Sequence, residues 1–407
     1  MAILSSQLTN MTGNLHLLQK LLARIEGEGP MTFAEFMEAN LYDPQYGYYS
    51  SAARIGPDGD YWTSPEVHPI FARLIGQQIA DLADAIAPSG EFTIVEMGAG
   101  QGTFAGHLLS AYQRDFPGLL ARLRYIIIER AAGLIQRQQQ HLRPLLEKGS
   151  QIQWLPNVAD LAANSITGVM CSNELVDAFP VHRVVMRPLG LREIFVGWSQ
   201  DRFIEIEAPP SAPLLEQYFE RLGLRLRDGQ RAEVNLCALD WIRQVGSRLR
   251  KGLVCTVDYG HSAADLFAPA RNAGTLLCYY RQSVSDTPYC RIGQQDITAH
   301  VDFTSLALAG QEAGLEVTGF TNQLHFLMGL GIESAFAGID PESNESGWMR
   351  KLLRPDGMGT TFKVLVQHKG MPAPALAGLR SRPFFVDALY AGLPEHSTPL
   401  GAASNTR

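Results

Sequence analysis

The stretch FTIVEMGAGQG, residues 92–102, constrains this chain more than any other. Residues 92–95 are apolar or β-branched and read as a buried parallel strand. Three glycines then fall within five positions, and residues 103–112 place Phe104, Leu108, Leu109 and Tyr112 at helical spacing. A strand that turns so abruptly into a helix calls for glycine, which reaches positive φ without steric cost and lets a ligand approach the backbone. The helix N-terminus adds unpaired N–H groups and a partial positive charge. Residues 124–129 form the next strand pattern and end in Glu129, about 30 residues beyond Gly98, where a carboxylate can accept both hydroxyls of a ribose.

Composition narrows the class. A 407-residue chain with 46% hydrophobic and 18% charged residues supports a large globular core. Its net charge of −7, with no basic block beyond the scattered Arg and Lys of 243–251, argues against nucleic acid as a partner. No segment reaches the roughly 18 uninterrupted apolar residues of a membrane span. The N-terminus lacks a basic stretch followed by an apolar one, and Leu15, Leu18, Leu22 and Ile25 have amphipathic-helix spacing, so a cytoplasmic enzyme is expected. Five cysteines without a CxxC pair read as free thiols, with no zinc site. A homodimer is compatible with all of this.

Along the chain, residues 1–90 read as an N-terminal helical region with an aromatic loop. Thr32 with Glu35 makes a capping box, and Thr63-Ser64-Pro65-Glu66 reads as the cap of a helix through Phe71, Leu74, Ile75 and Ile79. Between them, Tyr46, Tyr48, Tyr49, Tyr61 and Trp62 suit either a core lid or a cover over a cationic ligand. Residues 91–370 alternate strand and helix patterns, with strands at 92–97, 124–129, 151–155, 168–172, 253–259, 315–320 and 362–368, as a doubly wound α/β sheet requires. Insertions are expected near 183–250 (hairpin-rich), 261–300 and 321–355. Residues 371–407 read as a tail, its last dozen residues disordered.

Ligands of open α/β sheets bind at the carboxyl ends of the strands. The fourth strand ends in SNELVDAFP, which brings Asn173, Glu174 and Asp177 to the crevice of Gly98 and Gly100; the same string also suits a helix N-cap. The fifth strand ends in VDYGH and brings Asp258, with His261 the weaker candidate. Carboxylates there suit a cationic acceptor. Asp296, His300 and Asp302 are metal-ligating residue types close in sequence, but no further ligand is spaced to join them, and Asp302 fits better as a helix N-cap.

The glycine spacing is GxGxG with Glu96 two positions ahead, not the GxGxxG of a dinucleotide turn. This resembles motif I of class I S-adenosylmethionine (AdoMet) methyltransferases. The wider set LYDPQYGYYS, GDYWTSPE, VEMGAGQGTF, YIIIERA, SNELVDAFPVHR, VDYG, GTLLCYYR, GQQDITAHVDF and MGTTFKVL resembles the MidA family, also called the complex I assembly factor 7 family. The resemblance implies a Rossmann-like seven-stranded sheet with a terminal antiparallel strand, AdoMet as cofactor, and a protein substrate methylated on arginine. It implies that Glu96, Gly98, Ala99, Gly100, Gly102, Glu129 and Asn173 serve the cofactor and that Glu174, Asp177 and Asp258 orient the acceptor. SNELVDAF is similar to the acidic loop of protein arginine methyltransferases, although residues 179–183 offer no counterpart to that loop's second glutamate. Two rival expectations are an assembly factor that binds AdoMet without turnover and a nicotinamide-dependent dehydrogenase. The missing Arg/Ser-rich leader points to a bacterial chain.

Overall fold

The computed structural model describes residues 13–52, 59–60, 62–380 and 386–394. Its main sheet is built from β1 (Phe92–Met97), β2 (Leu123–Ile128), β3 (Ile152–Leu155), β4 (Ile166–Asn173), β5 (Leu249–His261), β6 (Glu316–Asn322) and β7 (Phe362–Lys369), in the spatial order β3-β2-β1-β4-β5-β7-β6. The first five run parallel, and β7 enters antiparallel between β5 and β6. An eighth strand of two residues, Val301–Asp302, pairs parallel with Gly260 and His261. The sheet therefore exceeds the expected seven strands by an element too short to leave a pattern in the sequence.

Both faces of the sheet are covered, which is why its strands read as near-continuous apolar runs. The helices are α1 (Leu15–Glu28), α2 (Phe33–Tyr42), α3 (Ile70–Ile86), α4 (Thr103–Asp115), α5 (Ala132–Leu146), α6 (Leu236–Arg248) and α7 (Phe303–Glu312), together with shorter ones. On one face Phe71, Leu108 and Tyr112 from α3 and α4 pack on Ile94, Val169 and Leu253. On the other, Trp241, Ile242 and Leu306 from α6 and α7 pack on Val95, Met170 and Val254. The alternation 94/95, 169/170 and 253/254 is the two-residue period of a strand dividing its side chains between two cores.

The N-terminal region does not stand apart from the insertions. Met31–Thr32 pairs antiparallel with Val196 and Phe195 of the hairpin unit, in a five-stranded sheet with His182–Arg187, Gly190–Ser199, Arg202–Ala208 and Arg231–Val234. Leu18 and Phe36 share a core with Val196, Phe203, Ile292 and Ile297. Two amphipathic helices cannot bury their apolar faces on each other alone, and the hairpin sheet completes that burial. Thr32 makes the expected capping box with Glu35, and Asp302 caps α7 through the N–H groups of Thr304 and Ser305. Thr63 does not cap: Ser64–Val67 is a separate four-residue helix without a side-chain cap bond, and α3 begins after Pro69. The disorder expected for the last dozen residues lies outside the described residues.

Candidate functional site

A cavity of about 460 Å³ opens at the carboxyl ends of β1, β2, β3 and β4. The glycine turn forms its floor. Gly98, Gly100 and Gly102 all take left-handed φ values, of 72°, 54° and 85°, a region that costs other residues roughly 1–2 kcal/mol each. The Gly98 N–H donates to the Ile128 carbonyl at 3.0 Å and so ties the turn to the end of β2. Gly98, Ala99 and Gly100 line the cavity; Gly102 does not. Gly102 instead lets α5 approach, since a Cβ there would meet Leu142 Cδ1 at 3.3 Å and Gln138 Cα at 3.6 Å.

At one end Glu129 is buried and held by two donors, the Ala131 N–H at 2.9 Å and the Gln138 amide at 3.3 Å. Gln138 is itself fixed, donating to the Gly100 carbonyl at 2.9 Å and accepting from the Trp154 indole at 3.0 Å. Burial raises the Glu129 carboxyl above its ordinary range, and those two donors oppose the shift. Glu96 also reaches the cavity, but it accepts the Tyr125 hydroxyl at 2.6 Å, and burial pushes it up to about 7.

At the other end Glu174 follows the last residue of β4 with φ of 53°, a strained value for a side-chain-bearing residue. Its N–H donates to the Val257 carbonyl at 2.9 Å. Its Oε1 accepts from the Ser64 N–H at 3.0 Å and from the Asn173 amide at 2.9 Å. Burial pushes this carboxyl up to about 8, against those two hydrogen bonds and with repulsion from Asp258 adding to the rise.

Asp177 and Asp258 stand elsewhere. Neither lines the cavity. Asp258, fully buried, spends both oxygens on backbone: Oδ2 accepts from Leu175, Val176 and Asp177 at 3.1, 2.8 and 3.4 Å, and Oδ1 from Tyr259 at 2.8 Å. It clamps the 174–177 loop instead of facing an acceptor. Asp177 ends that loop with a buried side chain, its carboxyl raised by burial and by Asp258 and Asp296. Of the aromatic residues expected over the ligand, Tyr49 lines the cavity, stacked on Tyr42 and donating its hydroxyl to Asp296 at 2.9 Å. Tyr48 is core, Tyr46 stacks on His16, Trp62 packs on Trp348, and Tyr61 lies outside the described residues. Among the described residues no group of His, Cys, Asp and Glu could hold a metal.

Pattern reading overlooked several lining residues: Glu66, Arg130, Pro156, Asn157, Val158 and Trp241. The 156–158 loop follows β3 as the acidic loop follows β4, so the rule of carboxyl strand ends, applied to every strand, would have found it. Nothing in the spacing announces Arg130, which lies over the Tyr42 ring at 3.5 Å and pairs with Glu38 at 2.8 Å.

Residues 74–321 match a family model described as "Putative S-adenosyl-L-methionine-dependent methyltransferase". The chain belongs to this family. It is similar to a crystal structure from Burkholderia thailandensis bound to S-adenosyl-homocysteine (AdoHcy), with a TM-score of 0.81 and 29% identity, covering 94% of this chain and 96% of that one. Among curated proteins, the human and rat mitochondrial protein arginine methyltransferase NDUFAF7 are 27% and 26% identical, over 87% and 85% of this chain and 84% and 83% of theirs. The chain is an AdoMet-dependent methyltransferase. The cavity of this methyltransferase suits the cofactor on its own chemistry. Glu38, Glu66, Glu96, Glu129, Glu174 and Asp240 line it against a single base, Arg130. Burial raises three of the six, Glu96, Glu129 and Glu174, toward the protonated form, and Glu38 pairs with Arg130, so the wall offers acceptors and no unpaired base, which suits a sulfonium and an ammonium better than the two negative charges of a pyrophosphate.

Proposed function

We propose that this methyltransferase methylates the guanidinium of arginine in a protein substrate. The observation that carries the reading is Glu174: a half-buried carboxylate at the end of β4, aimed by the Ser64 N–H and the Asn173 amide, in the same cavity as the glycine turn. The names of the NDUFAF7 relatives support it.

When bound, AdoMet supplies an electrophilic methyl group on a sulfonium. Gly98, Ala99 and Gly100 would offer backbone to its methionine part, Glu129 would take the ribose hydroxyls, and residues 156–158 would be left for the base. Gln138 braces both the turn and Glu129, so the nucleoside end is set before any acceptor arrives. Glu174 works on the acceptor. An arginine stays protonated in solution, with a pKa above about 12, so the site must orient its nitrogen and localise its charge on the others. With no cation present, Glu174 keeps its proton near neutral pH. An arriving guanidinium stabilises the carboxylate, so that Glu174 releases its proton to solvent, and the fixed Oε1 sets the angle of approach. Asp258 acts through the loop, holding its N–H groups and hence Glu174 in place.

The test is transfer of radiolabelled methyl from AdoMet into a cell extract, followed by amino-acid analysis. Label should appear in methylarginines, and Glu174→Gln should reduce it at least about a hundredfold, from the loss of a charge-assisted pair, with AdoHcy affinity unchanged by calorimetry. Label confined to another residue type would overturn the arginine assignment.

A further inference from the structure

Residues 63–66, TSPE, carry a hydroxyl residue followed three positions on by glutamate, the signature of a helix start. The structure puts the residues to a different use. Thr63 makes no cap bond. Ser64, fully buried, sends its N–H to Glu174 and its hydroxyl to the Gln323 side-chain oxygen at 2.8 Å, while the Gln323 amide donates to the Leu352 carbonyl at 3.0 Å. Pro65 beside it is buried too. The segment is thereby pinned, and the next residue has a defined place. Glu66 points at the first residue of α4, where its Oε1 accepts the Thr103 hydroxyl at 2.5 Å, directly after the glycine turn.

Glu66 lines the cavity and is half-buried, yet no cation of the described residues lies within ion-pair distance of it. Among the described residues that carboxyl has a hydroxyl partner and no counter-charge. Its Oε1 is held at the first residue of α4, directly after the turn, whereas Glu129 is engaged by the Ala131 N–H and Gln138. The amino-acid end of AdoMet carries a carboxylate and an ammonium. The N–H groups of the turn and of α4 would serve the carboxylate; the ammonium needs an acceptor with negative charge. Glu96 is poorly suited, because the Tyr125 hydroxyl occupies it and burial holds its proton up to about 7. Glu174 faces the acceptor.

We propose that Glu66 is the counter-ion of the cofactor's methionine ammonium, a specificity-determining residue brought over the glycine turn by the pinned 63–66 segment. The proposal rests on the AdoMet reading of the cavity. It makes the amino-acid part, not only the nucleoside, a condition for tight binding, and it ties the cofactor's polar end to the same short segment that aims Glu174.

The experiment compares two ligands in calorimetric titrations: AdoHcy, which carries the ammonium, and 5′-methylthioadenosine, which shares the nucleoside and thioether but lacks the amino-acid group. In Glu66→Gln, which keeps the acceptor for Thr103, AdoHcy affinity should fall about ten- to hundredfold, as expected for one hydrogen bond to a charged group, while methylthioadenosine affinity stays within about twofold. Equal losses for both ligands would assign Glu66 a merely structural role and overturn the proposal, as would no loss for either. Thr103→Val gives a second reading if Glu66→Gln folds poorly: Glu66 then loses its resting partner only, and AdoHcy should bind at least as tightly as before. A large AdoHcy loss there would overturn the proposal. Failure of the unsubstituted protein to bind AdoHcy would instead overturn the cofactor reading itself, and this inference with it.

Discussion

At the scale of single residues, burial favours the protonated form of two of the site's carboxyl groups. Glu96 is held up to about 7 and Glu174 to about 8, both raised from the ordinary glutamate range. Between about pH 4.5 and 8 the folded chain therefore binds more protons at these two positions than the unfolded chain does, so their contribution to stability is complete at low pH and is lost as pH rises through that window. The melting temperature should fall between about pH 5 and about pH 9, and Glu174→Gln combined with Glu96→Gln should flatten that slope. A slope unaltered by the pair would place the titrating groups elsewhere. Residue identity at the glycine turn was legible because positive φ at Gly98 and Gly100 restricts the residue type locally. What Asp258 does was not: its partners are N–H groups about 80 positions away, and no spacing rule encodes a side chain that satisfies another loop's backbone.

At the scale of elements, the strands of the main sheet followed from their composition, since a strand buried on both faces must be apolar throughout. The elements misread were those whose local pattern and tertiary use diverge. TSPE looks like a cap and is used to aim Glu174 and Glu66; SNELVDAFP, read as a crevice loop with a helix N-cap as the rival, is an irregular loop whose N–H groups Asp258 binds. Removing that clamp tests the loop as a unit. Asp258→Asn turns one acceptor oxygen into an amide nitrogen that faces N–H groups, so at least one buried donor loses its partner. A loss of about 1–3 kcal/mol in stability is expected, with methyl transfer lowered and AdoHcy affinity preserved, because Asp258 touches the acceptor loop and not the glycine turn. Unchanged transfer with unchanged denaturant midpoint would show that the loop keeps its shape unaided.

At the scale of the whole molecule, one site draws on segments that the chain keeps far apart: Tyr42 and Ser64 from the N-terminal region, Glu174 from the sheet and Gln323 from beyond β6. Sequence patterns are local, and this convergence is not, so residues 1–90 read as a helical region of their own, although they share a sheet and a core with the insertions. The convergence also sets the charge of the cavity, where six acids face one arginine that is already paired with Glu38. Net charge alone could not say where those acids lie. Their concentration at one cavity turns a weak compositional bias into a preference between ligands of similar shape: a cationic group can ionise the acids that burial holds protonated, whereas a pyrophosphate finds only acceptors and one arginine already paired. Because binding to the folded state alone stabilises it by mass action, AdoHcy at about a hundred times its Kd should add about 2.7 kcal/mol to the stability of the chain. NADH at the same concentration should add nothing measurable. Equal stabilisation by both would mean that the acids are neutral in the loaded cavity and that the glycine turn, not the surrounding charge, selects the ligand.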